Sequence, residues 1–239
     1  MVKKYKKELD VSYTLGITLT IEVLKQRNDL VNRVFIHSKT IKNESFNLIE
    51  ELCNRNNIPL IYNDKVFNIL SNKENCFVIA EFRKYNNNIN ELDNHVVLVN
   101  PSNAGNLGTI MRSMVGFNLN DLVIITPAVD IFDPKCIRAS MGAIFHINFT
   151  HYNNFLEYYN INRARHYYPF MLQSSCNLSS IDIKSPYSLI FGNEATGLDD
   201  SFLRYGNSVI IKHSNYIDSL NLPIAVSIGI YEFTKNKFK

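Results

Sequence analysis

His95-Val-Val-Leu-Val-Asn100 runs directly into Pro-Ser-Asn-Ala-Gly-Asn-Leu-Gly-Thr-Ile-Met-Arg112. The first part is a continuous apolar run without alternation, the pattern of a strand buried on both faces of a parallel sheet. The second part opens with turn formers and predicts a helix over 106–117. A strand passing straight into a helix is a βα unit. Its polar connecting residues then gather at a helix N-terminus, where unpaired N–H groups and the helix dipole favour an anion. Gly105 and Gly108 permit a tight turn and close backbone approach. Arg112, four residues after Gly108, is predicted to share its face. The spacing is neither GxGxxG nor a P-loop, which would need a Gly-Lys-Ser/Thr ending. From spacing alone the segment is either a phosphate or nucleotide site or an ordinary βα turn.

The same alternation continues downstream. Strands are predicted at 122–126, 146–150, 167–173, 188–191 and 209–212, with helices at 134–144, 153–161, 199–204 and 222–236. Repeated βα units argue for an α/β fold with a doubly wound parallel sheet, whose ligands sit at the carboxyl ends of the strands. Upstream, helices are predicted at 17–26, with Ile17, Ile21 and Leu24 on one face, at 45–54, capped by Asn43 or Ser45, and at 64–70. Strands at 31–37, 58–62 and 76–82 complete a small α/β sandwich. The Asn-rich run 85–94 has little to bury and reads as a linker. Two domains follow, 1–88 and 89–239.

Composition narrows the class. The chain has 239 residues, 46% apolar and 20% charged, so it can build a core and is not disordered. Nine Gly and seven Pro exclude collagen-like and low-complexity chains. An excess of Asn and Ile with no Trp reads as the bias of an AT-rich genome and says little about function. The net charge of +3 is unevenly placed: residues 1–92 hold 14 basic and 11 acidic side chains, and the remainder holds 11 of each. Lys3, Lys4, Lys6 and Lys7 form a basic arm, which either reaches phosphates or is a solvated, frayed terminus. Glu8, Asp10 and Thr14 interrupt any secretory signal, and the apolar runs are too short to span a membrane. Cys53, Cys76, Cys136 and Cys176 contain no CxxC pair and no His at ligand spacing, so they read as reduced thiols of a cytoplasmic protein without a metal site.

Two further segments sit at predicted strand ends. In Leu189-Ile-Phe-Gly-Asn-Glu-Ala-Thr-Gly-Leu198, a buried strand runs into Gly192, and Glu194 follows where functional carboxylates are common. Its structural alternatives are a helix cap or an ion pair with Arg112 or Arg138. In Ile211-Lys-His-Ser-Asn-Tyr-Ile-Asp-Ser219-Leu-Asn221-Leu-Pro-Ile-Ala225, Asn221 can N-cap the last helix with Pro223 in its first turn. Asp218, Ser219 and Asn221 are more polar groups than a cap needs.

Together these residues resemble the three signature motifs of the SpoU/TrmH RNA 2′-O-ribose methyltransferases of the SPOUT superfamily. The matching pieces are Asn106-Leu-Gly-Thr-Ile-Met-Arg112, Phe191-Gly-Asn-Glu-Ala-Thr-Gly-Leu198 and Ser219-Leu-Asn221 leading into Ala225, in the family's order and spacing. Arg138-Ala-Ser-Met-Gly-Ala resembles its middle stretch, and the resemblance covers roughly residues 94–236. The first part of the chain resembles, more weakly, the family's ribosomal-protein-like RNA-binding module.

The resemblance implies a deep trefoil knot and a homodimer. It implies S-adenosyl-L-methionine held by backbone groups of Gly192, Ile211 and Leu220. It also implies methylation of a ribose 2′-hydroxyl in structured RNA, with rRNA favoured over tRNA because a separate module precedes the catalytic part. The catalytic set it implies is Arg112, Asn106, Glu194, Ser219 and Asn221. Two roles compete for Arg112: a general base once deprotonated, or an anchor for the RNA phosphate and the developing alkoxide. Asn106 would orient the ribose or Arg112, Glu194 would fix Arg112 or the motif geometry, and Ser219 and Asn221 would order the knot and the catalytic arginine. Ile211-Lys-His-Ser-Asn215 departs from the family by lacking its usual Pro and Gly. His213 there reads as a partly exposed loop residue. The alternative function is a non-catalytic RNA-binding or ribosome-assembly factor on the same fold, against which the retention of all five residues argues.

Overall fold

The structure is a computed structural model that describes residues 2–71 and 75–238. In chain order the elements are β1 (Val11–Leu15), α1 (Ile17–Gln26), β2 (Val31–Ile36), α2 (Glu44–Arg55), β3 (Leu60–Tyr62), α3 (Asp64–Leu70), β4 (Val78–Arg83), β5 (His95–Val99) and α4 (Ala104–Gly116). There follow β6 (Asp121–Ile125), α5 (Pro134–Ala139), β7 (Asn148–Tyr152), α6 (Phe155–Ile161), β8 (His166–Pro169), β9 (Tyr187–Phe191) and α7 (Leu222–Thr234). They form two compact units. One runs to Tyr85 and takes back Asp130–His146; the other comprises Asn86–Val129 and the chain from Ile147 onward.

The first unit holds a mixed sheet of order β1-β4-β2-β3, parallel only between β2 and β3. Strand β1 is absent from the sequence-based expectation. Its Val-Ser-Tyr-Thr-Leu pairs Val11 with Arg83 and Leu15 with Ile79, so the helix-first reading of this region missed a strand. Helix α2 starts where Asn43 accepts a bond from the Phe46 N–H and buries Phe46, Ile49, Leu52 and Cys53 on one stripe. The buried face of α1 is Leu19, Thr20, Val23 and Leu24. Ile17 and Ile21, expected on that face, are only half-buried, because the sheet meets α1 about one residue further round. The basic arm is tethered: Tyr5 donates a hydrogen bond to Asp130 while Lys3, Lys4, Lys6 and Lys7 stay exposed. The expected helix over 134–144 ends at Ala139, since Met141 and Gly142 both take positive φ.

The second unit holds an all-parallel sheet of order β7-β6-β5-β9-β8. Its central strands are apolar on both faces, as the unbroken runs predicted, and Val96, Val97, Leu98, Leu189 and Ile190 are fully buried. From β5 the chain builds outward through β6 to β7, then returns to build β9 and β8 on the other side. The strand order therefore reverses between β5 and β9, and a crevice opens beyond their carboxyl ends.

The run 85–94 is no free linker. The Phe149 N–H donates to Asn87 O at 2.8 Å, the Asn90 N–H to Asp121 Oδ1 at 2.7 Å, and Ile89 joins the apolar core of this unit. Both bonds use the main chain of the run, and the Asn87 side chain adds one, from Nδ2 to Ile147 O at 3.4 Å. The expected strand at 209–212 reduces to two bridges. Residues 207–210 bond on one side to Tyr167 and Pro169 carbonyls and on the other to the Cys176 carbonyl and Leu178 N–H. Among the described residues no helix is long and apolar enough to cross a membrane, and no His/Cys/Asp/Glu group could hold a metal.

Candidate active site

The register of β5 on β9 pairs Leu98 with Phe191, so the chain leaving each strand emerges beside the other. Asn100 ends β5 in the left-handed region (φ 53). Its carbonyl accepts from Asn193 Nδ2 at 2.7 Å, which ties the two loops together. Asn103 then N-caps α4, its side chain accepting from the Asn106 N–H at 3.0 Å.

Glu194 completes this junction. Its Oε2 accepts from the Ser102 N–H at 3.1 Å and the Ser102 hydroxyl at 2.8 Å. Its Oε1 accepts from the Asn103 N–H and from Asn106 Nδ2, each at 3.2 Å. A carboxylate placed on the open end of α4 meets donors that the helix itself cannot satisfy. Burial pushes its pKa up, but the bonds from its own backbone, Ser102 and Asn106 outweigh this and hold the carboxyl below its ordinary value. Of the structural alternatives, an ion pair with Arg112 does not form among the described residues; Glu194 fixes the β5–α4 loop.

Glycine is required beside it. A Cβ on Gly192 would lie 2.1 Å from the backbone carbon of Gly197, which itself has φ +68. The 193–197 turn, closed by the Gly197 N–H donating to Asn193 O at 2.9 Å, thus folds flat against Gly192.

Beyond this turn lies a cavity of about 350 Å³. Gly192, Glu194, Ile211, Ser219 and Leu220 of the expected residues line it, with Phe170, Gln173, His213 and Asp218. Phe170 stacks on Phe191 with ring centroids 4.3 Å apart. No Lys or Arg lines the cavity.

Residues 93–231 match the sequence model of the SpoU rRNA Methylase family, over half of the chain. The chain belongs to that family.

Among its relatives is a 23S rRNA (uridine(2479)-2′-O)-methyltransferase of Streptomyces viridochromogenes, 26% identical over 151 residues. Those residues are 59% of this chain and 52% of the relative, so the match spans about half of that protein. A Listeria monocytogenes protein, provisionally named a tRNA (cytidine(34)-2′-O)-methyltransferase, is 30% identical over 147 residues, 59% of this chain and 86% of its own length. In fold, the AdoMet-bound rRNA methyltransferase of Sinorhizobium meliloti superposes with a TM-score of 0.81 at 23% identity, over 95% of this chain and 88% of that one. SpoU methylases use S-adenosylmethionine as cofactor.

The remaining SpoU motif residues stand outside the cavity lining. Asn106 is half-buried on the Glu194 carboxylate. Arg112 is exposed in line with Gly105 and Thr109, whereas Gly108, expected on its face, is buried. Among the described residues the Arg112 side chain makes no hydrogen bond or ion pair. Asn221 occupies the N-cap position of α7 through its backbone: its carbonyl accepts from the Ile224 and Ala225 N–H groups, each at 3.0 Å, and its side chain makes no cap bond. Pro223 sits in the first turn as expected. Sequence reasoning missed Ser102, Asn103, Asn193 and the aromatic wall of Phe170. A Ser-Asn pair just before a helix signals a cap, but only the β5–β9 register shows which carboxylate it meets.

Proposed function

We propose that this protein transfers the methyl group of S-adenosylmethionine to a ribose 2′-hydroxyl of RNA. The carrying observation is the cavity at the β5–β9 reversal, which gathers Gly192, Glu194, Ile211, Ser219 and Leu220 from two motifs of the matched region. Its volume lies within the range of small-molecule sites, and its lining, with carboxylates and no Lys or Arg, suits a ligand that carries a sulfonium. Backbone groups of Gly192, Ile211 and Leu220 would hold it. Knotting of the C-terminal half is part of the same reading. Its support is the 207–210 segment, which lies between 167–169 and 176–178 with hydrogen bonds to both.

The sulfonium supplies an already activated methyl group. The protein's task is therefore to align the hydroxyl and to bear the charge that develops on it. A guanidinium stays charged in water, and a free, exposed Arg112 suits an anchor for the RNA phosphate and the nascent alkoxide better than a base. Asn106, set by Glu194, orients the ribose or Arg112. Ser219 and Asn221 order the loop that enters α7.

Residues 1–88 are assigned to RNA binding, with the exposed lysines of the arm as phosphate contacts. rRNA is the favoured substrate. The support is the separate module that precedes the matched region 93–231. A homodimer is supported by α7, which exposes Ile224 (53%) and Tyr231 (53%) to solvent. A cellular RNA substrate and the free thiols of Cys53, Cys136 and Cys176 fit the cytoplasm. Incubation with methyl-labelled S-adenosylmethionine and separate total rRNA and tRNA tests the reading. Label in rRNA supports it in full, label in tRNA alone overturns the substrate preference, and RNA binding without label indicates a non-catalytic factor.

A further inference from the structure

The cavity has two charged lining residues, the carboxylates Glu194 and Asp218. They are not equivalent. Glu194 is saturated by Ser102, Asn103 and Asn106 and faces the positive end of α4. Asp218 is exposed and, among the described residues, has no hydrogen bond or ion pair. On the same wall His213 Nδ1 lies 3.0 Å from Ile211 O. A carbonyl only accepts, so this nitrogen donates to it. The 211–219 wall thus presents a free carboxylate to the cavity, and no Lys or Arg is among the residues that line it.

We infer that Asp218 senses the positive charge on sulfur and so favours the methyl donor over the demethylated product. The inference rests on the proposed function. In the transfer the S–CH3 bond breaks and the O–CH3 bond forms. Sulfur keeps the electron pair of the broken bond and becomes a neutral thioether, and the hydroxyl proton leaves to solvent. Donor and product therefore share adenosine, ammonium and carboxylate, and differ in one methyl group and one charge. The apolar wall of Phe170 and Leu220 and the backbone of Gly192 meet both molecules alike. A free carboxylate does not, and across an open cavity one such charge pair is worth about fivefold in affinity.

Isothermal titration of the full chain with S-adenosylmethionine, S-adenosylhomocysteine and sinefungin, in which an amine-bearing carbon replaces the sulfonium, tests this. Asp218→Asn is expected to weaken S-adenosylmethionine and sinefungin about fivefold and to leave S-adenosylhomocysteine within twofold, whereas Asp218→Glu keeps the wild-type ratio. Rising salt is expected to erode the wild-type preference. Equal weakening of all three ligands, or no change in any, would overturn the inference while leaving the methyltransferase reading standing. Wild-type protein that binds none of the three would overturn both.

Discussion

Glu194 Oε1 accepts a hydrogen bond from Asn106 Nδ2 at 3.2 Å, joining residues 88 positions apart. The bond spans the reversal of the sheet: Asn106 opens the helix after β5, and Glu194 follows β9. With the Ser102 and Asn103 bonds it locks the loop that leads to Arg112 against the cavity wall. Glu194→Ala leaves these donors unmatched and is expected to destabilise the fold by about 2 kcal/mol in urea unfolding, with Glu194→Gln costing less because it keeps acceptor geometry. The carboxyl is held below its ordinary value, so its contribution is full above about pH 4.3 and fades as pH falls through the lower folded value. Glu194→Gln should remove that part of the acid dependence.

His95 gives a second, separable pH dependence at the far end of β5. Its Nδ1 lies 2.7 Å from the Tyr158 hydroxyl, which in turn lies 2.6 Å from Ser188 Oγ. Burial first, then Arg165, lowers the imidazole to about 4, and the bond to Asn90 O opposes this only in part. The unfolded chain therefore takes up this proton first. Stability is full above about pH 6.5 and falls by about 3 kcal/mol as pH drops to about 4. Thermal melts of wild type and His95→Gln across that window should diverge in slope; parallel curves would refute the assignment.

Two glycines predict opposite responses to alanine. At Gly192 the new Cβ would overlap the Gly197 backbone, and Gly192→Ala is expected to cost about 3 kcal/mol and to abolish cofactor binding. At Gly116, the last residue of α4, nothing lies within 4 Å of the added atom. Gly116→Ala should stabilise by about 0.5 kcal/mol. Equilibrium unfolding of both variants measures the contrast.

The exposed stripe on α7 predicts the oligomeric state. Ile224→Glu with Tyr231→Glu should convert a dimer to a monomer in light scattering while the far-ultraviolet spectrum holds, since both side chains point away from the buried Val226 and Ile230. A wild-type chain that is already monomeric at micromolar concentration would remove the basis for the dimer.

Much of the second unit was legible because its signals are local. Unbroken apolar runs gave β5, β6 and β9, and Asn221 with Pro223 marks the start of α7. What escaped depends on distant partners. Strand β1 follows a lysine-rich arm, and its alternation becomes meaningful only beside β4. Run 85–94 looked like a linker because main-chain hydrogen bonds to distant partners leave no trace in hydropathy. Motif spacing singled out Glu194 but could not name Ser102 and Asn103 as its partners, since these meet only through the β5–β9 register. Arg112 drew attention for its place after Gly108, yet it stands on the exposed face with Gly105 and Thr109.

The central claim is that this chain methylates a ribose hydroxyl through Arg112. Its most direct measurement is the alkali-resistant dinucleotide released from rRNA after incubation with methyl-labelled S-adenosylmethionine, compared between wild type and Arg112→Ala. The account predicts a labelled, alkali-resistant product from wild type and at least a hundredfold less from Arg112→Ala, with cofactor affinity unchanged because Arg112 lies outside the cavity lining. Near-native yield from the variant, or label that alkali releases as a methylated base, would contradict it.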